Sequence, residues 1–510
     1  MKQTKPKMLI FSHICSPQYV TGAEKLLLFM IRELLPIYAC TLVVPTEGVI
    51  AAHARKLGLP VIVQDIPLIV PLYLALPHMN EEIATKQQEP SWRDLVHLMN
   101  KEQPNVILAN TCVHPLPAIA GKALGIPVVW SVMEAIRETP LTPASAALIE
   151  AHADFVLGIS ETALAPLRTP GMIPKTTLIP PSWHQAELRP EGWGQHRANR
   201  RRHLGIAEHE RLVGYISSSI FEGKGLEHFM EMAVKTAAFH PKARYLIVGN
   251  PVDPPYFERC LDVARAAGVI ERFRWLRFEE QVATVYPAMD ILVVPSLMPE
   301  GFGMTALEGM AFGKAIVVYG SGGLAEIGRA TGNDAYVVPT GDIEGLAAGV
   351  SALLDNEELL QAVGARNARE AHAAFGVAAY RERLRRFTDV LKQQAPRPPT
   401  VLKGSGPTIY LFDRGALRPF RTMEAFTAAG YRVDEVRTVP DAFIAVWPVG
   451  EPIGTAAAPA RKRRRRRAGK GKRRRRGRRG VLKPRRGLRG GKARRGKAAP
   501  GGRKRRRRAS

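Results

Sequence analysis

Features that mark disulfide-stabilised or membrane-spanning proteins are scarce in this sequence. Its 510 residues contain only four cysteines, which are widely spaced: Cys15, Cys40, Cys112 and Cys260. They form no CxxC pair and no disulfide framework, so we expect a reducing compartment. The apolar run Met8–Phe11 is much shorter than a signal-peptide core, and the later stretch Ile66–Pro77 is too short for a membrane span. The sequence therefore predicts a cytoplasmic protein, with the inner membrane face as a candidate site of peripheral attachment.

Acidic residues are absent from residues 455–510, whereas 29 of the 74 Lys and Arg residues lie there. The other 454 residues carry 45 basic and 46 acidic side chains, so the net charge of +28 comes from this tail. Its arginine runs, such as Arg463–Arg467, have almost no aromatic residues between them, which disfavours stacking on bases. Counterion release would let the tail bind an anionic membrane surface, a teichoic-type polymer, an acidic spore or wall component, or nucleic acid without sequence specificity. A solvated tail with no fixed partner is the alternative.

Elsewhere, short apolar runs alternate with amphipathic segments in two stretches of similar length. The predicted strands of the first stretch are Met8–His13, Cys40–Pro45, Pro60–Val63, Val106–Asn110, Pro127–Ser131 and Phe155–Ser160. Those of the second are Leu212–Ser217, Tyr245–Gly249, Phe273–Leu276, Ile291–Pro295, Ala315–Tyr319 and Val337–Pro339. Such alternation predicts parallel sheets covered on both faces. We therefore expect an α/β fold with two Rossmann-like domains, residues 1–182 and 183–394, and a ligand site in the cleft between them.

Three shorter segments follow the predicted domains. Residues 395–406 are rich in Pro and Gly and are predicted to form a linker. Residues 407–454 are predicted to form a small separate module with little core of its own. Within it, Tyr410–Gly415 and the residues that follow resemble a short repeat of bacterial surface-associated proteins, which implies a docking role. The tail, residues 455–510, is predicted to be disordered.

The segment Pro295–Glu308 carries the most chemical information. A strand ends in Pro-Ser, a glycine-rich turn follows, and then a helix begins. Glu300 lies in the turn and Glu308 inside the helix, while Gly301 and Gly303 let the backbone approach a ligand closely. A helix N-terminus favours phosphate, and carboxylates accept hydrogen bonds from sugar hydroxyls. The segment therefore has the groups that a nucleotide-sugar site needs.

Its Glu-x-Phe-Gly-x-x-x-x-Glu pattern resembles the retaining glycosyltransferases of family 4, which have the GT-B fold. Four further segments resemble elements of that family: Thr21–Glu24, Leu157–Glu161, Gly223–Gly225 and Gly322–Glu326. The resemblance spans about residues 8–390. Taken singly, the acidic residues and Lys224 would be ordinary surface charges, and only their combination with the two-domain layout favours a site.

The resemblance implies roles for individual residues. Lys224 would neutralise the leaving diphosphate, Glu300 would contact the transferred sugar, and Glu308 would hold the ribose hydroxyls. Further donor contacts would come from Gly22, Gly223, Ser296, Gly301, Phe302, Gly303 and Met304. The family uses no metal and no cofactor. Its donor is a nucleotide sugar, linked to UDP or GDP, and its acceptor a glycan, a lipid or a protein.

Two positions depart from the family's pattern. Ser219 stands where an arginine usually meets the diphosphate, five residues before the lysine. Ser131 stands where many members have a histidine, so His13, His114 and Glu134 are candidate acceptor-side residues.

Two functions remain open at this stage. One is a glycosyltransferase of bacterial cell-surface or spore polysaccharide synthesis, in which Arg189 or Arg274 could replace the missing arginine. The other is a polyanion- or cell-envelope-binding protein with a degenerate transferase domain, and Ser219 favours this alternative.

Overall fold

The computed structural model describes residues 5–18, 20–277, 279, 281–393, 401–413 and 415–454. These residues belong to one compact unit. The predicted tail, residues 455–510, lies outside them, as do Arg414 and residues 395–400, the first half of the predicted linker.

The first domain is built on a seven-stranded parallel sheet with the order β3-β2-β1-β4-β5-β6-β7. Its strands are β1 Lys7–Phe11, β2 Ala39–Val44, β3 Val61–Val63, β4 Val106–Asn110, β5 Val128–Val132, β6 Phe155–Gly158 and β7 Thr176–Leu178. Its helices are α1 Gly22–Leu34, α2 Val49–Lys56, α3 Val70–Leu74, α4 Met79–Lys86, α5 Pro90–Glu102, α6 Pro115–Ala123, α7 Thr142–His152 and α8 Glu161–Leu164. Strands β4 and β5 are buried along their whole length, as central strands of a covered parallel sheet should be.

The second domain has a six-stranded parallel sheet with the order β10-β9-β8-β11-β12-β13. The elements up to β11 are α9 Gln185–Leu188, α10 Trp193–Leu204, β8 Arg211–Ile220, α11 Leu226–Phe239, β9 Ala243–Pro251, α12 Pro254–Ala266, β10 Phe273–Leu276 and β11 Ile291–Val294. After these come α13 Met304–Ala311, β12 Ala315–Tyr319, α14 Gly323–Ala330, β13 Val337–Val338, α15 Ile343–Asp355, α16 Glu357–Phe375 and α17 Val377–Leu391. The two sheets confirm the predicted α/β fold.

The last helix, α17, lies within residues 183–394, the predicted second domain. It packs against the first domain: the Phe387 and Phe155 rings lie 5.6 Å apart, and the Tyr380 and Phe29 rings 4.9 Å apart. The apolar face of α17 is buried in the same cluster as strands of the first sheet. Amphipathicity predicts a buried face, but only the folded chain shows which domain covers it.

The C-terminal segment includes the described end of the predicted linker and the predicted small module. It forms a small four-stranded sheet with the order β16-β15-β14-β17. Its elements are β14 Val401–Lys403, β15 Ile409–Asp413, β16 Ala416–Pro419, α18 Met423–Ala428, β17 Arg437–Thr438 and α19 Asp441–Ile444. Strand β14 lies within the predicted linker. The segment contacts α5 of the first domain: the Trp447 ring lies 5.1 Å from that of His97, and Trp92 Nε1 donates to the Ala442 carbonyl at 3.2 Å.

Within the described ranges, no helix is both long and apolar enough to cross a membrane.

Candidate functional site

Two loops of the second domain are packed against each other beyond the carboxyl end of β11. The Leu297 amide donates to the Gly223 carbonyl at 3.0 Å. Gly225 has a φ of +70°, and a Cβ there would lie 1.9 Å from the Pro295 carbonyl oxygen, so no other residue fits without a shift of backbone. This close approach brings Lys224 next to the turn that carries Glu300.

Lys224 and Glu300 form an ion pair. The Nζ of Lys224 lies 2.7 Å from Oε1 of Glu300, and both side chains are mostly buried. Gly322, with a φ of +62°, fixes the backbone of Glu300, because a Cβ at that position would lie 2.4 Å from its carbonyl oxygen. The Gly323 amide donates to the same carbonyl at 2.8 Å. The two residues predicted to be catalytic are therefore brought together and held.

Glu308 is held from both domains. The buried Tyr286 hydroxyl donates to Oε2 of Glu308 at 3.0 Å, and its ring stacks on Phe312 at 5.1 Å. Burial, together with the Glu308 charge, raises the pKa of Tyr286 far above its ordinary value. From α1 of the first domain, Lys25 Nζ lies 2.7 Å from Oε1 of Glu308. Sequence reasoning missed both partners: Lys25 directly follows the Thr21–Glu24 motif, whereas Tyr286 carries no sequence signal.

The start of α1 places Gly22 at the cleft. Gly22 is exposed, and a Cβ at this position would meet nothing within 4 Å. Glu24 is fully buried and caps the helix, since its Oε2 accepts from the amide and the hydroxyl of Thr21, both at 2.8 Å. Burial raises the pKa of Glu24. Within the Thr21–Glu24 motif, Glu24 thus fixes the turn at the start of α1. Gly22, which has no side chain, leaves the space next to that turn open.

Glu326 joins the two domains. Its carboxylate accepts from the amides of Glu161 at 2.8 Å and Thr162 at 2.7 Å, at the first turn of α8. The Ser160 hydroxyl donates to the Gly301 carbonyl beside it. A carboxylate is favourable at a helix N-terminus because it interacts with the free amides there. In this chain Glu326, from the Gly322–Glu326 segment, therefore attaches the second domain to α8 of the first.

Some predicted donor contacts are committed to packing. The Phe302 ring is buried edge-on against Phe375 at 5.5 Å, and its backbone packs closely on Gly323, where a Cβ would lie 2.4 Å from the Phe302 carbonyl oxygen. The nearly buried Ser296 hydroxyl donates to the Met298 carbonyl at 3.2 Å. Gly303 and Met304 begin α13, as the sequence predicted.

Among the predicted acceptor-side residues, Glu134 lies at the junction of the domains. Its Oε2 accepts from the amides of Cys112 at 3.2 Å and Met133 at 3.3 Å, and burial raises its pKa. A Cβ at Gly301 would lie 3.6 Å from the Cα of Glu134, which places this residue beside the Glu300 turn.

The two histidines are less accessible. His114 is fully buried, and neither of its ring nitrogens has a hydrogen-bond partner among the described residues. Burial lowers the pKa of His114 to about 3. His13 is half-buried, and burial lowers its pKa to about 4. Both are neutral at neutral pH, and an acceptor could reach His114 only if its surroundings moved.

Ser219 and the two arginines suggested as substitutes lie in different surroundings. Ser219 is exposed near the end of β8. The Arg274 guanidinium donates to the carbonyls of Leu204 and Phe273, both at 2.8 Å, and is committed there. Arg189 is exposed after α9.

No cluster of three or more His, Cys, Asp or Glu side chains in the described part of the chain has the arrangement of a metal site.

Comparisons with known proteins agree with this geometry. Residues 196–370 match the family model of the glycosyl transferases group 1. An uncharacterized glycosyltransferase of Methanocaldococcus jannaschii is 29% identical over 164 residues, or 32% of this chain and 40% of the relative. A D-inositol 3-phosphate glycosyltransferase of Corynebacterium kroppenstedtii is 30% identical over 214 residues, or 40% of this chain and 45% of the relative. The chain thus spans less than half the length of these relatives.

The crystal structure of HepE from Anabaena in complex with UDP superposes on the chain with a TM-score of 0.62 at 18% identity. The match covers 76% of this chain and 100% of HepE. This similarity concerns the fold and confirms the GT-B arrangement of two parallel-sheet domains. Residues 196–370 therefore resemble the glycosyl transferases group 1 family, in a chain that has the GT-B fold.

Proposed function

We propose that the protein is a retaining, metal-independent glycosyltransferase that moves a sugar from a UDP- or GDP-linked donor to a glycan, lipid or protein acceptor. The observation that carries the proposal is the Lys224–Glu300 ion pair in the loops beyond β11, followed in α13 by Glu308, which Lys25 of the first domain contacts. The relatives named as glycosyltransferases and the HepE complex with UDP-glucose support a nucleotide-sugar donor.

Each residue has a role in this reaction. The bond between the sugar's anomeric carbon and the diphosphate oxygen breaks, a bond to an acceptor hydroxyl oxygen forms on the same face, and the hydroxyl proton passes to the leaving diphosphate. Lys224 neutralises the charge that grows on the leaving diphosphate. Glu300 accepts from hydroxyls of the transferred sugar, and Glu308 from the ribose hydroxyls. The donor is a substrate, and the site needs no cofactor.

The acceptor belongs to a bacterial cell-surface or spore polysaccharide pathway in this proposal. The protein works in the cytoplasm, and its polycationic tail holds it at an anionic membrane face or another polyanion. The four buried, unpaired cysteines support a reducing compartment.

The direct test is nucleotide release. The full chain is incubated with a panel of UDP- and GDP-sugars, and free nucleotide is measured for the wild type and for Lys224→Ala. Lys235→Ala is the matched control, because Lys235 forms an exposed ion pair with Glu344 on the outer helices. We expect release from at least one donor and its loss only in Lys224→Ala.

The alternative is a polyanion- or cell-envelope-binding protein with a degenerate transferase domain, which the neutral Ser219 favours. It predicts that donors raise the melting temperature while no nucleotide is released with any acceptor. That result would replace the enzymatic proposal with a binding role.

A further inference from the structure

Glu300 and Glu308, the two glutamates predicted to contact the donor, are each paired with one lysine, and the two lysines come from different domains. Lys224 reaches Glu300 from its own domain, whereas Lys25 reaches Glu308 from the first turns of α1 in the other. The Lys25 side chain is 49% exposed and that of Glu308 is 17% exposed. The lysine is therefore the solvent-facing member of the pair.

Lys224 alone does not balance the negative charge of a nucleoside diphosphate at this site. A nucleoside diphosphate brings at least two negative charges, and Lys224 already shares its charge with Glu300. Ser219 is neutral, and Arg274 is committed to backbone carbonyls. Lys25 is the lysine that the fold adds to this site from outside the second domain.

The Lys25–Glu308 pair can also be exchanged at small cost. Ion pairs with one half-exposed partner contribute little net stability, and an ammonium on a four-carbon stem moves easily between acceptors. Tyr286 holds Glu308 through its other oxygen, so the carboxylate keeps its place when Lys25 leaves. Ribose hydroxyls can then take the position at Glu308 that the ammonium gave up.

Building on the proposed function, we propose that Lys25 is a donor-contacting residue: it leaves Glu308 when a nucleoside diphosphate binds and pairs with the diphosphate. The first domain thereby supplies the cation that Ser219 does not. On donor binding, the Lys25–Glu308 contact between the domains would be replaced by a contact between Lys25 and the bound diphosphate. The two domains would therefore stay linked through Lys25.

The test compares ligands that share a nucleoside but differ in phosphate. Binding of uridine, UMP and UDP, and of the guanosine series, is measured by calorimetry on the full chain. We expect Lys25→Gln to weaken diphosphate binding about tenfold, as for a lost charge-assisted hydrogen bond, and to leave nucleoside binding unchanged or tighter. Lys25→Arg should retain most of the affinity, and the loss in Lys25→Gln should shrink as salt rises. The control Lys235→Gln should change nothing.

The outcomes separate the two proposals. If Lys25→Gln tightens nucleoside and diphosphate binding equally, Lys25 is only a competitor for Glu308 and the inference is wrong. Unchanged diphosphate affinity in a variant with wild-type melting temperature contradicts it too. A wild-type chain that binds neither UDP nor GDP contradicts the donor site itself, and with it any role of Lys25 there.

Discussion

At the scale of single residues, the site depends on side chains that are held by fixed partners. Glu308 is bound through one oxygen by the buried Tyr286 hydroxyl and through the other by Lys25. A carboxylate fixed in this way loses little freedom on binding a ligand, so its contacts should contribute strongly to affinity.

Glu308→Ala should weaken donor binding by about 1–3 kcal/mol, because ribose hydroxyls would be left without acceptors in the cleft. Calorimetric titration with UDP and GDP measures this. Glu344→Ala, which removes the partner of Lys235 on the outer surface, is the control. Equal affinity in the two variants would reject the ribose contact.

Lys224→Ala should lower kcat more than it changes KM. The leaving diphosphate gains negative charge as the glycosidic bond breaks, so a fixed cation stabilises the transition state more than the bound donor. We expect a loss of about 10²–10³ in kcat, the range seen when one preorganised charge-stabilising donor is removed. Steady-state kinetics on the best donor of the panel measures it, and a near-normal kcat would mean that another group neutralises the diphosphate.

The buried histidines make stability depend on pH. Burial lowers the pKa of His114 to about 3 and of His13 to about 4, against about 6.5 in the unfolded chain. The unfolded chain thus binds more protons below pH 6.5, and the free energy of unfolding falls as the pH drops towards 4. Each histidine contributes up to about 1.4 kcal/mol per pH unit.

His114→Gln should therefore reduce the loss of stability between pH 7 and pH 5, whatever its effect at pH 7. Denaturant unfolding at both pH values measures the difference, with the exposed His209→Gln as control. The same pH dependence in wild type and His114→Gln would contradict a neutral, buried His114.

At the scale of elements, α17 links the chain's second half to its first domain. It follows α16 after a break at Gly376. Its buried Phe387 packs on Phe155, and its Arg381 pairs with Glu33 of α1 at 2.6 Å. These contacts tie the position of α1, and thus of Lys25, to the C-terminal end of the second domain.

Phe387→Ala should destabilise the protein by about 3–5 kcal/mol, as expected for removing a buried phenylalanine. Val390→Ala, on the same helix, is the control because Val390 is 50% exposed whereas Phe387 is 4% exposed. Thermal or denaturant unfolding compares them. If both variants melt like the wild type, α17 does not hold the first domain in solution.

The small C-terminal sheet is an extension of the first domain. Besides the contacts of Trp447 and Trp92, the Arg437 guanidinium donates to the Lys122 carbonyl at 2.8 Å. Its remaining core is a small cluster around Val401, Phe420 and Phe426. Docking supplies the buried area that a segment of this size lacks alone.

At the scale of the whole molecule, charge is divided unevenly. Residues 1–454 are almost neutral, and the excess positive charge lies in residues 455–510. A polycation without aromatic residues attracts polyanions through its charge alone, so binding of polyanions and catalysis should be separable.

Removal of residues 455–510 should leave kcat/KM for a soluble acceptor within a few-fold of the wild type. Binding to anionic lipid vesicles or other polyanions should collapse in the same truncated protein. Binding of the full chain should also weaken steeply between low and physiological salt. Lost activity on a soluble acceptor would place the tail in the acceptor site, and salt-independent binding would point to a folded contact instead.

The sequence by itself determined the two parallel sheets, since strands covered on both faces must be continuous apolar runs and the intervening helices show their own period. It also determined the Pro295–Glu308 turn, because glycines and carboxylates at short spacing are a local signal. The tertiary structure alone decided that Lys25 meets Glu308, 283 residues away, that Tyr286 holds it, and that α17 and the C-terminal sheet pack on the first domain. These contacts join surfaces that come together only when the chain folds. The sequence around an exposed lysine or an apolar helix face does not indicate which distant residue it will contact.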